Sequence, residues 1–398
     1  MKELRTFLIF SVSVACTFSV GCGGGSSSKT NNVITTSGAN VAPITVKTGP
    51  AASDGFSAVN AAFVSIEVCV PGTSNCKTID DVLVDTGSSG LRILSSAFSL
   101  PLPPQNAGDG NPVYECFPFV SGYTWGPVQT ADVEIGGEKA SSTTIEVIGT
   151  STAVPSSCLD FGLPPSNSVD TLLANGILGI GLSAQDCGPG CPTSIYYECP
   201  ASGSCQGISE SLTQQLQNPV TLFAADNNGV IIELPAVPTA GEPSVSGSLV
   251  FGIGTQSNNG LDGAKVYTAD ESGSFTTTLS GTAYSQSFID SGSNGFFFPS
   301  TITQCPGNSN EPGFYCPATT QNLSATNQGA NGVKGTVNFS VADAATLFAN
   351  PSDSAFSDLG GTFSGAFDWG LPFFYGQNVF VAIEGASTPG GPGPYWAY

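Results

Sequence analysis

The sequence predicts an all-β protein built as two similar lobes with a cleft between them, on three observations. Only 10% of the residues are charged while Gly (50) and Pro (28) are abundant, which favours many short strands joined by turns over amphipathic helices. With 398 residues, 40% of them apolar and 25 of them Phe, the chain can bury a large core and is too long for one simple sandwich. Two twelve-residue stretches repeat, VLVDTGSSGLRI from Val82 to Ile93 and SFIDSGSNGFFF from Ser287 to Phe298, with Asp85 and Asp290 placed 205 positions apart. One Asp-Gly loop marks a turn. Two such loops, each leaving an apolar strand and each followed by a hydrophobic stretch, imply a duplicated unit whose aspartates can face each other.

At the N-terminus, Lys2 and Arg5 precede an apolar run from Phe7 to Val20, followed by Gly21 and Cys22. That run is too short to span a membrane as a mature helix, and no later segment offers the ~18 unbroken apolar residues required. The junction SVGCGGGSSSK resembles a bacterial lipoprotein signal, which implies a signal peptide over residues 1–21, lipidation of Cys22 and a flexible Gly/Ser-rich tether over residues 22–55. Ser19 stands where such signals usually carry Leu, Cys16 is a competing site, and ordinary cleavage with an incidental Cys22 is the alternative. The chain is expected to be exported and lipid-anchored in the cell envelope, at the outer membrane or cell surface, or else to be periplasmic or secreted. Setting Cys16 and Cys22 aside leaves 10 of the 12 cysteines, an even number that suggests five disulfides. Short loops suggest Cys69 with Cys76 and Cys305 with Cys316. Cys187, Cys191, Cys199 and Cys205 crowd a Gly/Pro-rich insert and are expected to pair among themselves, leaving Cys116 and Cys158. A metal site built from the four cysteines of the insert is the alternative.

Charge excludes several functions. The chain has no His, so Ser-His-Asp, Cys-His and imidazole-zinc chemistry are impossible. With 9 Lys+Arg against 30 Asp+Glu, a net charge of -21 cannot neutralise the phosphates of a nucleic acid.

The duplication extends downstream of each aspartate. NGILGIG, from Asn175 to Gly181, follows Asp85, and LPFFYG, from Leu371 to Gly376, follows Asp290. This pattern resembles the pepsin-like aspartic peptidases, in which each lobe carries an Asp-Thr/Ser-Gly loop and a later hydrophobic-hydrophobic-Gly strand threads beside it. ADVEIGG (131–137) is similar to the returning strand of that family's flap hairpin. GISESLTQQLQNPVTLF (207–223) is similar to the helix and strand that close the first lobe, with Ser209, Leu212 and Leu216 at helical spacing before Pro219. GSLVFGIG (247–254) is similar to a strand of the inter-lobe sheet. The resemblance implies lobes over residues 56–246 and 247–398. VDTGSSGLRI and WGLPFFYG are also similar to stretches of a bacterial family of exported proteins, a resemblance that implies a fold and no activity.

Two carboxyls ~3 Å apart cannot both ionise, so they share a proton, one accepting a proton from water while the other bonds the substrate carbonyl. The resemblance assigns Asp85 and Asp290 as this catalytic pair. It implies that Gly87 and Gly292 admit close backbone approach, that Thr86 and Ser291 brace the loops across the pair, and that Ser88 and Ser293 bond the outer carboxylate oxygens. A flap over the cleft is expected in FVSGYTWGPVQT (119–130), with its tip at Gly122 to Gly126 and Tyr123 or Trp125 covering the substrate. The sequence departs from the family here. No Gly-Thr/Ser-Gly tip follows a tyrosine, counting back from ADVEIGG puts Phe119 at the tyrosine's position, and Arg92 stands where the family usually has Trp.

The expected function is an aspartic-type endopeptidase that hydrolyses extended polypeptides at acidic pH. It is expected to act as a monomer with no cofactor, no metal and no nucleic-acid partner, and to meet the membrane only through its lipid. The alternative is a non-catalytic cell-envelope binding protein on an aspartic-peptidase scaffold, although a buried pair of carboxylates is costly to keep without a use. Ser74 to Lys77 matches a Ser-x-x-Lys pattern but reads as a loop, and Asp226 to Gly229 reads as a hairpin turn rather than a calcium site. The Cys187–Cys205 insert is expected to sit on the surface beside the cleft and to be dispensable, and Tyr395 to Tyr398 to be packing or an exposed tail.

Overall fold

Alternating apolar residues start the chain's first strand, β1 (Val41–Val46), whose Ala42, Ile44 and Val46 turn into the core while Pro43 faces out. The structure, a computed structural model, describes residues 33–398 apart from 54, 271, 308 and 310. There follow β2 (Ala62–Cys69), β3 (Cys76–Asp85), β4 (Ser89–Leu94), β5 (Val113–Pro118), β6 (Tyr123–Ile135), β7 (Glu138–Ile148), β8 (Gly176–Ile180), β9 (Tyr196–Glu198), β10 (Gln206–Ile208), β11 (Gly229–Leu234) and β12 (Val245–Phe251). The second half supplies β13 (Val266–Thr268), β14 (Phe275–Leu279), β15 (Thr282–Ile289), β16 (Phe296–Phe297), β17 (Gln321–Gln328), β18 (Lys334–Val341), β19 (Gly360–Gly361), β20 (Asp368–Trp369), β21 (Gln377–Ala382), β22 (Ser387–Thr388), β23 (Gly391–Pro392) and β24 (Tyr395–Ala397). The chain is all-β as expected. Among the described residues the α-helices are three single turns of four residues, Ser156–Leu159, Val169–Leu172 and Ala344–Leu347.

One sheet of fifteen strands runs β10-β9-β5-β6-β7-β4-β8-β3-β2-β1-β12-β11-β21-β24-β13, and a second of seven runs β18-β17-β14-β15-β20-β16-β19. In each half the aspartate-bearing strand is flanked by a later strand lying parallel to it: β8 beside β3, with Asp85 opposite Gly179, and β20 beside β15, with Ile289 opposite Trp369. Each inserted strand also pairs antiparallel with the strand that leaves the aspartate loop, β4 or β16. The loop is thereby held on both sides by backbone hydrogen bonds, so its aspartate cannot move independently of the sheet. A stacked aromatic layer of Phe298, Phe367 and Trp369 packs the second half below its loop, with ring centroids 4.7 and 4.0 Å apart.

Five expectations change. The tether expected over residues 22–55 includes β1, which pairs with β12 and β2, so Val41–Val46 belongs to the sheet rather than to a tether. The lobe boundary at 246 and 247 falls inside β12. Strands from both halves meet in the fifteen-stranded sheet, β11 of the first pairing with β21 of the second. The helix expected at Ser209–Leu216 is a turn, with Gln214 and Gln215 N–H donating to Ser211 O and a 3₁₀ turn only at Pro219–Leu222. The second threading strand is not in LPFFYG, whose Leu371–Phe374 is a 3₁₀ turn; Asp368–Trp369 immediately before it takes that place. The Cys187–Cys205 insert contains β9, and its buried Tyr196 donates to Asp186 and accepts from Leu216 N–H, which makes it core rather than dispensable surface.

The five disulfides expected are present: Cys69–Cys76, Cys116–Cys158, Cys187–Cys191, Cys199–Cys205 and Cys305–Cys316. This density of disulfides fits an exported chain in an oxidising compartment, and no described helix is long and apolar enough to cross a membrane. Cys22 and the signal segment lie outside the described residues. Tyr395–Ala397 is a sheet strand rather than a tail.

Candidate active site

Asp85 ends β3 and Asp290 follows β15, and the two loops meet about an approximate two-fold axis. Thr86 Oγ1 donates to Ile289 O at 3.1 Å and accepts from Ser291 N–H at 2.9 Å. In return, Ser291 Oγ donates to Val84 O at 2.7 Å and accepts from Thr86 N–H at 3.1 Å. Four reciprocal bonds between buried groups lock the loops together, since breaking one leaves a desolvated partner at a cost of about 1–3 kcal/mol. Gly87 N–H donates to Asp85 Oδ1 at 2.8 Å and Gly292 N–H to Asp290 Oδ1 at 2.7 Å. Ser88 Oγ donates to Asp85 Oδ2, and Ser293 Oγ to Asp290 Oδ2 at 2.8 Å.

The glycines explain how close the carboxyls come. A Cβ on Gly87 would lie 2.7 Å from the Asp290 carboxyl carbon, and one on Gly292 would lie 2.6 Å from Asp85 Oδ1. Each carboxyl therefore occupies the space that a side chain on the opposite loop would fill. Burial first, then the charge of Asp290 and a hydrogen bond to it, push the Asp85 carboxyl up to about 8, against the lowering effects of Ser88 and Gly87 N–H. One proton is consequently retained between two carboxyls across the acidic and neutral range, which equips the pair to act as acid and base together.

A cavity of about 540 Å³ opens above the pair, lined by both loops, by Phe117, Phe119 and Val120, and by Ile177 and Trp396. The hairpin over it turns at Val120–Ser121, where Phe119 N–H donates to Gly122 O, rather than at Gly122 to Gly126. Tyr123 and Trp125 are not over the cleft. Strand pairing sets Cys116 opposite Trp125 and Pro118 opposite Tyr123, so these share the outer face, while Phe117 and Thr124 share the inner one. Trp125 donates its indole N–H to Thr152 O and packs on Tyr114 and Tyr197, and Tyr123 is buried in the same cluster. Phe119, at the position reached by counting back from ADVEIGG, lines the cleft together with Phe117 and Val120.

Arg92 lies directly beneath the hairpin, fully buried. Its guanidinium donates to Ser89 O beside the Asp85 loop, to both oxygens of Glu115 at 3.1 and 2.7 Å, and to Asp186 at 3.1 Å, and lies 3.4 Å from Glu146. Its central carbon is 4.0 Å from the Phe117 ring centroid and 5.6 Å from that of Phe119. This chain thus supports the hairpin through a cation under two phenylalanines. Burial first, then the charge of Glu115, holds Glu146 and Asp186 well above the ordinary carboxyl range despite Arg92. Glu146 and Asp186 therefore hold protons more tightly than exposed carboxyls do.

A family model described as "Protein of unknown function (DUF3443)" matches residues 36–398. The chain belongs to that family. Among solved structures it is similar to the crystal structure of aspartic proteinase from Irpex lacteus, at 14% identity and a TM-score of 0.46, covering 88% of this chain and 99% of that one. No curated protein matches the sequence. Within this family member, sequence reasoning missed Asp368, Glu115, Glu146 and Asp186. The signal for Asp368 was available: an acid in FDWG, where the first half has the wholly apolar GILG.

Proposed function

We propose that the protein is an aspartic-type endopeptidase in which Asp85 and Asp290 activate water and protonate the leaving amine. The observation that supports it is the facing pair of carboxyls, each filling the space beside the other loop's glycine and each bonded at both oxygens. Only one of the pair needs to be ionised. That carboxylate takes a proton from water as the water attacks the carbonyl, while the protonated partner hydrogen-bonds the carbonyl oxygen and stabilises the charge that develops. The proton then passes to the amine as the C–N bond breaks. Phe117, Phe119 and Val120 cover the cleft with apolar surface, which suits an extended polypeptide bearing apolar side chains.

Cleavage of denatured protein or long peptides tests the reading across pH 2 to 9. Turnover is expected while the pair holds one proton, from acidic pH towards neutrality, and is lost as pH rises through the raised value of Asp85 and that proton leaves. A peptide mimic with a hydroxyl in place of the scissile carbonyl is expected to inhibit. A wild type that binds peptides but turns over none would favour the binding scaffold. We further propose lipidation at Cys22; the intact mass of protein purified from membranes is expected to carry acyl chains there.

A further inference from the structure

The aspartate loops match in backbone but not in what stands behind them. In the first half the threading strand sets Ile177 opposite Leu83, one residue before the Val84–Leu178 pair. In the second half the same position, one residue before the Ile289–Trp369 pair, is Asp368, opposite Phe288. Asp368 is 4% exposed, its Oδ1 has no hydrogen-bond partner, and its antiparallel neighbour Phe297 offers none. Its carboxyl interacts with the hydroxyl of Ser293, which donates to the outer oxygen of Asp290 at 2.8 Å. A hydroxyl carries one proton. If that proton points at Asp290, Asp368 can meet the same oxygen only by donating, and it donates only as the neutral acid.

We propose that Asp368 is a third, protonated carboxyl of the site, whose O–H donates to Ser293 Oγ and thereby directs the Ser293 O–H onto Asp290 Oδ2. It is a positioning residue: it touches neither water nor substrate and acts through Ser293. This rests on the peptidase reading only for its effect on rate; the proton itself is a property of the fold. Burial first, then the charge of Asp290 and more weakly that of Asp85, holds Asp368 well above the ordinary carboxyl range, against the lowering effect of the Ser293 hydroxyl. Those two aspartates are the charged groups that act on it among the described residues, Phe288 and Phe297 across the sheet being neutral. The directed Ser293 O–H fixes the donor on the outer oxygen of Asp290. No counterpart exists behind Ser88, where Ile177 offers no donor.

Carboxyl-carbon NMR on wild type, Asp368→Asn and Asp368→Ile tests the proton, and kinetics tests its effect. The Asp368 resonance, assigned by its loss in both variants, is expected to stay at the protonated position at about pH 6, where exposed aspartates are ionised. Finding it ionised there overturns the proposal whether or not the protein cleaves peptides. With turnover present, Asp368→Ile is expected to lower kcat by about tenfold at little change in KM and to move the upper limb of the pH profile. Asp368→Asn, whose amide can still donate to Ser293, is expected to recover most of that loss. Ser293→Ala is expected to match Asp368→Ile, with no further loss in the double variant. An Asn variant as impaired as the Ile variant, or fully additive losses, would contradict the donor role. A wild type without turnover but with a protonated Asp368 would refute the peptidase reading and leave the third carboxyl standing.

Discussion

The two aspartate loops share a backbone and differ in their surroundings. Behind Asp85 lie the apolar β8, the Arg92 cluster and a hairpin that roofs the cleft; behind Asp290 lie the aromatic layer of Phe298, Phe367 and Trp369 and a buried acid. Equivalent main-chain hydrogen bonds to equivalent oxygens thus support carboxyls in unequal electrostatic environments. Symmetric geometry brings the carboxyls together, and asymmetric surroundings decide which of them keeps the proton. Proximity alone makes the carboxyls share a proton, and unequal surroundings add a preference for where it rests.

The symmetric part breaks with the largest effect. Gly87→Ala and Gly292→Ala each place a methyl where the opposing carboxyl sits, within 2.9 Å in either case. Neither glycine needs a left-handed backbone, so folding is expected to survive while kcat falls about a hundredfold, as expected for a misplacement near 1 Å. Comparing kcat with the unfolding midpoint checks this. Equal losses in the two variants would confirm that the halves contribute equally to geometry.

The asymmetric roof gives a smaller effect. Phe119→Ala removes an aromatic wall that the hairpin of the first half sets over the cleft, while the second half lines the same cavity with Phe288 and Trp396. kcat/KM for apolar peptides is expected to fall about tenfold, the scale of one lost aromatic contact. Trp125→Phe, on the outer face, is expected to cost stability rather than kcat/KM; the reverse pattern would return Trp125 to the cleft.

The smallest effect sharpens the electrostatic side. Asp85, Asp368, Glu146 and Asp186 all have raised folded-state values, chiefly through burial. Each therefore binds a proton more tightly folded than unfolded. Its stabilising contribution is fully present below the ordinary carboxyl range and is lost as pH rises through the folded value. The unfolding midpoint is expected to be higher at about pH 4 than at about pH 8, and Asp368→Ile is expected to flatten the decline. A midpoint that climbs steadily from acid to neutral pH would show these acids to be ionised in the fold.

Much of this arrangement is legible in the sequence because the duplication writes it twice. Asp-Thr-Gly and Asp-Ser-Gly at matching distances from apolar strands mark the paired loops, and even cysteines at short spacing mark the disulfides. The hairpin was harder to read. Its register turns on where a two-residue turn falls, and a shift by a few residues exchanges its inner and outer faces, which is why Tyr123 and Trp125 read as cleft residues and pack outside. The Ser209–Leu216 segment carries helical spacing, but Gln215 and Gln217 side chains bond nearby carbonyls and stop it at a turn. Asp368 escaped because LPFFYG fits the hydrophobic-hydrophobic-Gly pattern better than FDWG does. β1 escaped because its segment follows a Gly/Ser-rich stretch and pairs with a strand some two hundred residues away.

Turnover by the single and double asparagine variants of the facing pair tests the central claim most directly. If Asp85 and Asp290 form one acid–base unit, Asp85→Asn and Asp290→Asn each lower kcat by about 10³-fold or more. The double variant is then no worse than either single one, because the first substitution already removes the unit. Losses that multiply in the double variant, or activity equal to wild type in either single variant, would contradict a shared site.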